Sequence, residues 1–128
     1  MTRVTDANGH STMLAYDGRG NVTNIINPLG NIFQLKYDGR DNLIEVIDPL
    51  KRSTQYFYDP NDNPTKAINA QNGNIAFTYD AFGELTSLTN PRTNSIHFTY
   101  DSNGNVTNMT NPVGSMTSYA HDRVGRVV

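Results

Sequence analysis

Residues Tyr16–Asn31 read YDGRGNVTNIINPLGN, and close copies of this stretch return along the chain. YDGRDNLIEVIDPLKR starts at Tyr37, YDAFGELTSLTNPRTN at Tyr79 and YDSNGNVTNMTNPVGS at Tyr100. With Tyr58 included, each Tyr-Asp lies 21 residues after the last, and His121-Asp122 stands where a sixth pair would begin. An unbroken internal period is the mark of a repeat architecture, in which one supersecondary unit buries its apolar face only against its neighbours.

Two turn signals punctuate every period. The first is Asp-x-x-Gly, as in Asp17–Gly20, Asp80–Gly83 and Asp101–Gly104. The second is Asn-Pro-x-Gly, as in Asn27-Pro28-Leu29-Gly30 and Asn111-Pro112-Val113-Gly114. A first-position carboxylate or amide accepts a backbone N–H two residues on, proline presets the next backbone angle, and glycine supplies a left-handed fourth position. Asp48-Pro49 and Asn90-Pro91 keep the Asx-Pro half and lack the glycine.

The segments running into each tyrosine alternate with period two. Phe33, Leu35 and Tyr37, then Thr54, Tyr56 and Tyr58, Ile75, Phe77 and Tyr79, and Ile96, Phe98 and Tyr100 share one face, and between them sit Gln34, Lys36, Gln55, Thr78, His97 and Thr99. That is a half-buried strand. The other segments (Val22, Ile25, Ile26; Leu43, Ile44, Val46, Ile47) do not sort onto one face, but their β-branched content favours strand over helix. The expected fold is therefore all-β: an antiparallel meander of six 21-residue hairpin repeats. A sheet of that width is expected to curl, with its aromatic side inward. Residues 1–128 form one array, with a partial repeat at 1–15, full repeats at 16–36, 37–57, 58–78, 79–99 and 100–120, and a partial repeat at 121–128. The ends fall in nearly the same phase, which suggests a piece of a longer array or a unit that stacks end to end.

Composition limits the function classes. Hydrophobic residues, tyrosine included, make up 36% of the chain, so material for a thick core is short. Net charge is −2, and only Lys51-Arg52 are adjacent basic residues, which argues against nucleic acid as a partner. The absence of cysteine removes disulfides and thiolate metal sites. No apolar run reaches the roughly 18 residues of a membrane span, and no signal peptide opens the chain.

Catalysis needs a unique constellation, whereas the polar residues here recur once per repeat. His10, His97 and His121 match no metal-binding spacing. Asp59–Asn63 (DPNDN) resembles the start of a calcium loop, yet Pro64 stands at the required glycine and Ala70 at the closing glutamate. Neither a catalytic residue, a cofactor nor a resident metal is expected. NVT at Asn21 and Asn105 and NMT at Asn108 are glycosylation sequons. One periodic patch offers a ligand platform: Tyr37, Tyr56, Tyr58, Phe77, Tyr79, Phe98, Tyr100 and Tyr119. Its rings could stack on sugars, or hold the sheet together through cross-strand pairs contributing roughly 0.2–1 kcal/mol each. Recurrence in every unit favours the second role.

The YDxxGN(V/L)T…(N/D)PxG period resembles the YD repeat of the Rhs family, shared with Tc-toxin shell components and teneurins. The resemblance spans the whole chain. It implies a long antiparallel sheet that spirals into a hollow shell, in an extracellular or cell-surface setting. Apart from the resemblance, open edge strands suit flanking repeats or other copies as partners, and the aromatic patch suits glycans or a surface receptor as the alternative. Nothing after Asp122 resembles the family's conserved closing block or an effector domain, so the resemblance implies scaffold alone.

Overall fold

The computed structural model describes Met1–Val128 and contains strands without helices. Twelve strands follow one another: β1 (Thr2–Thr5), β2 (Ser11–Tyr16), β3 (Val22–Ile26), β4 (Ile32–Tyr37), β5 (Leu43–Ile47) and β6 (Ser53–Tyr58). The second half continues with β7 (Pro64–Ile68), β8 (Asn74–Tyr79), β9 (Leu85–Thr89), β10 (Ser95–Tyr100), β11 (Val106–Thr110) and β12 (Met116–Ser118). They lie in sequence order in one sheet, which is open because β1 and β12 each have a neighbour on one side only. Neighbouring pairs are antiparallel, as short connections require. The chain divides into two compact units, Met1–Phe57 with Ile68–Asn72, and Tyr58–Ala67 with Gly73–Val128.

Register explains why the segments after each tyrosine look irregular in sequence. Ala15 faces Asn24 but Tyr16 faces Val22, leaving Thr23 as an extra residue. The same step recurs at Ile44, Thr86 and Thr107, opposite Tyr37, Tyr79 and Tyr100. Each is a β-bulge, in which two residues of one strand oppose one of the other. The bulge shifts the side-chain phase by one, so Val22 and Ile25, three apart, both join Leu14 and Tyr16 on the aromatic face. Leu43 with Val46, Leu85 with Leu88, and Val106 with Met109 do the same.

Within the first unit the aromatic face runs through Leu14, Ile25, Phe33, Leu35 and Val46, which meet across the strands. Within the second it runs through Phe77, Leu88, Ile96, Phe98 and Met109. The opposite face is polar in the second unit, where hydroxyls hydrogen-bond across strands: Thr78 with Ser87 (2.8 Å), Thr89 with Ser95 (2.8 Å) and Thr99 with Thr107 (3.0 Å). In the first unit Lys36 pairs with Glu45 at 2.7 Å on that face, and this bond from Lys36 is the main reason the Glu45 carboxyl titrates below its usual value.

No side chain is fully buried. The apolar supply is thin and is spread over both faces in the first unit, where Met13, Ile26, Ile32 and Ile47 lie opposite the aromatic face. Stability therefore rests on turns, ladders and contacts between successive repeats.

Candidate functional site

Every hairpin turn is built on the same plan. The first residue is Asp or Asn: Asp6, Asp17, Asn27, Asp38, Asp48, Asp59, Asn69, Asp80, Asn90, Asp101, Asn111 and Asp122. At Asp101 the Oδ1 atom accepts the backbone N–H groups of Asn103 (2.9 Å) and Asn105 (3.0 Å). The Gly104 N–H donates to the Asp101 carbonyl at 3.1 Å, and the Asp101 N–H to the Asn105 carbonyl at 2.9 Å. This is a three-residue loop, a type I turn closed by a residue in the left-handed region. Asp17 and Asn27 (ahead of Pro28), Asp80, and Asn111 (ahead of Pro112) head turns of the same kind.

The fourth turn position takes a positive φ in all twelve turns. Gly20, Gly30, Gly83, Gly104 and Gly114 fill it without strain. Asp41, Lys51, Asp62, Asn72 and Thr93 hold the same geometry with a side chain, at φ between 60° and 68°. Asx residues tolerate that region, but a β-branched threonine there is an outlier. Because the repeat imposes the turn, residues that would not choose it comply.

The tyrosines do something their aromatic character does not announce. The Tyr37 hydroxyl donates to the Val22 carbonyl at 3.0 Å, Tyr79 to Pro64 at 2.9 Å and Tyr100 to Leu85 at 2.8 Å. In each case the phenol reaches back to the residue that follows the preceding repeat's first turn. The β3–β4 ladder runs only from Ile26↔Ile32 to Asn24↔Gln34, and the β9–β10 ladder stops at Ser87↔His97. Val22 and Leu85 therefore lie past the last paired residue, beside their bulges, and the phenol gives each carbonyl its donor. Partial burial, and then the nearby Asp59 carboxylate, raises the titration of Tyr79. Burial followed by Glu84 and Asp80 does the same at Tyr100. These hydroxyls remain donors throughout the neutral range.

A second seam runs along the first-turn edge. Asn21 donates its side-chain N–H groups to Asp17 Oδ2 (3.3 Å) and to Asp41 Oδ1 (2.6 Å) of the next repeat's turn. Arg19 donates to the carbonyls of Asp38 (2.8 Å) and Gly39 (3.0 Å) and pairs with Asp41 at 3.1 Å. Asn105 occupies the Asn21 position in its own repeat and donates to both Asp101 oxygens. Those side-chain bonds come first among the causes that lower the Asp101 carboxyl's titration. Glu84 stands at the same place without a donor. Partial desolvation, then the charges of Asp80 and Asp101, push its carboxyl above the usual range.

The other candidates are dispersed. His10 hydrogen-bonds Asp6 at 3.2 Å, His97 lies between Ser87 and Thr110 on the polar face, and His121 is held in a bridge with Val127. No three His, Asp or Glu side chains are grouped so as to hold a metal ion. An open trough of ≈ 290 Å³ on the aromatic face is lined by Phe98, Val106, Met109, Tyr119, His121 and Val127. Tyr56, Tyr58, Phe77, Tyr79, Phe98 and Tyr119 are partly buried, and none is enclosed.

A family model described as RHS Repeat matches residues 1–32, 37–73 and 100–128. A comparison with curated proteins finds no match. Among solved structures, a Photorhabdus luminescens Tc holotoxin pore superposes with a TM-score of 0.80 over 96% of this chain, at 16% identity. A TcdB2-TccC3-TEV crystal structure matches with a TM-score of 0.78 over 100% of the chain at 18% identity. One of TcdB2-TccC3-Cdc42 reaches 0.79 over 93% at 15% identity. This chain spans only 7% or 8% of the length of those chains, and at such identities the likeness is one of fold.

Proposed function

Because this chain belongs to the RHS repeat family, we propose that it is a non-enzymatic scaffold segment, a length of β-sheet that forms part of a shell wall. Its open edges are taken up by further repeats, which present unpaired backbone groups in the same register. The setting is extracellular or at a cell surface, in keeping with the toxin assemblies named among the structures of like fold.

One observation carries this reading: the phenol-to-carbonyl bond at a constant separation of 15 residues, at Tyr37, Tyr79 and Tyr100. At these three positions it ties one repeat to the one before. A glycan platform would need those hydroxyls for sugar oxygens, and here they are turned to the backbone. The aromatic face therefore favours a structural role over carbohydrate binding.

The test is insertion of one more copy of residues 79–99 between positions 99 and 100. In a scaffold whose stability is a sum of repeat and neighbour terms, the longer chain folds and melts at a higher temperature. An insertion that unfolds the chain or lowers its melting point contradicts the proposal.

A further inference from the structure

We infer that the cleft between the Asp80–Glu84 and Asp101–Asn105 turns is a binding site for a guanidinium group, that of an arginine carried by a partner polypeptide. The site is read from the chain's own repetition and stands apart from the scaffold reading. In the first unit the same seam holds a guanidinium that belongs to the chain. Arg19, third in its turn, reaches across to the next repeat's turn. It donates to two consecutive carbonyls, Asp38 at 2.8 Å and Gly39 at 3.0 Å, while its Nε pairs with Asp41 Oδ1 at 3.1 Å. A planar fork serves two neighbouring carbonyls and a carboxylate at once, whereas a lysine ammonium is a point charge.

Three repeats later the receiving side persists and the arginine is gone. Phe82 stands at the Arg19 position, and Asp101 and Ser102 stand where Asp38 and Gly39 do. The acid has changed sides. Gly104 replaces Asp41, and Glu84, at the Asn21 position, brings its Oε1 to 2.7 Å from where a Cβ on Gly104 would stand. A carboxylate therefore lies beside the same corner of the turn, contributed by the other repeat. The Asp101 carbonyl accepts the Gly104 N–H, as the Asp38 carbonyl accepts that of Asp41, and keeps a second lone pair for a ligand. The Asp101 carboxylate is taken up by the N–H groups of Asn103 and Asn105, which leaves Glu84 as the ion-pair partner. Carboxylates alone would not define a site; the carbonyl pair that binds a guanidinium in the equivalent seam does.

An open cleft of ≈ 370 Å³ at this place is lined by Phe82, Glu84, Asp101, Ser102, Asn103 and Gly104. An adjoining hollow adds Asp80, and no basic side chain lines either. Phe82 is 89% exposed, a ring at the mouth of an acidic cleft whose face suits a cation. Desolvation, then the charges of Asp80 and Asp101, raise the titration of the Glu84 carboxyl, and a bound cation offsets that repulsion.

The experiment is an NMR titration of the whole chain, following backbone amides, with N-acetyl-arginine amide, N-acetyl-lysine amide and free arginine. The expected result is saturable shifts centred on Phe82, Glu84, Ser102 and Gly104, half-complete at about 1–10 mM for so small a probe. The lysine probe binds about fivefold or more weakly. Free arginine, whose own carboxylate meets the acidic rim, binds no more tightly than the capped form. Glu84→Gln weakens binding about tenfold, and Glu45→Gln, the same loss of charge outside the cleft, leaves it within about twofold. Phe82→Leu, which removes only the ring face, weakens it about threefold. Phe82→Arg supplies the guanidinium from the chain, as Arg19 does, and abolishes it. Five results overturn the inference: no saturable shift, equal response to the arginine and lysine probes, tighter binding of free arginine, equal effects of the two glutamate variants, or Phe82→Arg no weaker than Phe82→Leu.

Discussion

The Tyr100 hydroxyl lies 2.8 Å from the Leu85 carbonyl, 15 residues upstream in the preceding repeat. Leu85 begins β9 one residue before the Thr86 bulge, where the ladder to β10 has already ended. One phenol thus supplies the donor that a bulged strand lacks. Its neighbour Asp101 opens the next turn. The Tyr-Asp pair works as two parts of one joint, the first residue closing the seam behind and the second starting the hairpin ahead.

Thr93 holds φ 64° at a turn position that glycine fills elsewhere. A left-handed conformation costs an ordinary L-residue roughly 1–2 kcal/mol, so Thr93→Gly is expected to stabilise the chain by about 1 kcal/mol in urea unfolding. Asn72→Gly, at φ 60°, gains less because asparagine already tolerates that region. Equal effects would show that the strain is not local to the threonine.

Glu84→Asn restores the side chain found at Asn21 and Asn105. The Glu84 carboxyl titrates above 4.5, through desolvation and then the Asp80 and Asp101 charges. Its contribution is intact below the unfolded value and is lost as pH rises through the raised one. The variant should therefore melt above the parent at neutral pH, with the gap closing below pH 4.5. A gap that does not change with pH contradicts this.

The first-turn aspartates have the opposite sign. Backbone N–H bonds, from Asn21 above all at Asp17 and from Asn42 at Asp38, hold their carboxyls below 3.8. Stability from these groups is present above the unfolded value and drains away as pH falls through the folded ones. Acid unfolding is expected to begin below pH 3.8. Asn27, Asn69, Asn90 and Asn111 hold the equivalent place in four of the second turns and do not titrate, whereas Asp6 and Asp48 head the other two. Hydrogen exchange in acid should accordingly open the first turns before the four second turns headed by asparagine.

Gly104 is tightly placed. A Cβ there would stand 2.7 Å from Glu84 Oε1, and φ is 79°. Gly104→Ala is expected to destabilise by about 1 kcal/mol or more, whereas Gly39→Ala, with open space around it, should be nearly neutral or slightly stabilising. A comparison of denaturation midpoints decides it.

Much of the fold is legible in the sequence because turn chemistry and the two-residue alternation are local properties. The period, the strand number and the aromatic face of the strands ending at Tyr37, Tyr79 and Tyr100 all follow from them. The bulges are not local, since they exist only against a partner strand. Their trace is the recurrent spacing of three in Val22–Ile25, Leu43–Val46, Leu85–Leu88 and Val106–Met109, which reads as disorder until register is known. The phenol bond also left a sign. Two residues before each Tyr-Asp the chain accepts Leu35, Tyr56, Phe77 or Phe98, but the Tyr-Asp position takes tyrosine five times and never phenylalanine. A position that needs only a ring would not discriminate so.

The most direct test of the account is urea unfolding of Tyr100→Phe and Tyr79→Phe beside Tyr16→Phe. Tyr16 is 41% exposed and has no phenol bond to a preceding repeat. Deleting one hydroxyl should cost about 0.5–1.5 kcal/mol at Tyr100 and Tyr79 and almost nothing at Tyr16. Equal, negligible losses at all three would mean that the rings alone join the repeats, and that the phenol-to-carbonyl bond is not what couples them.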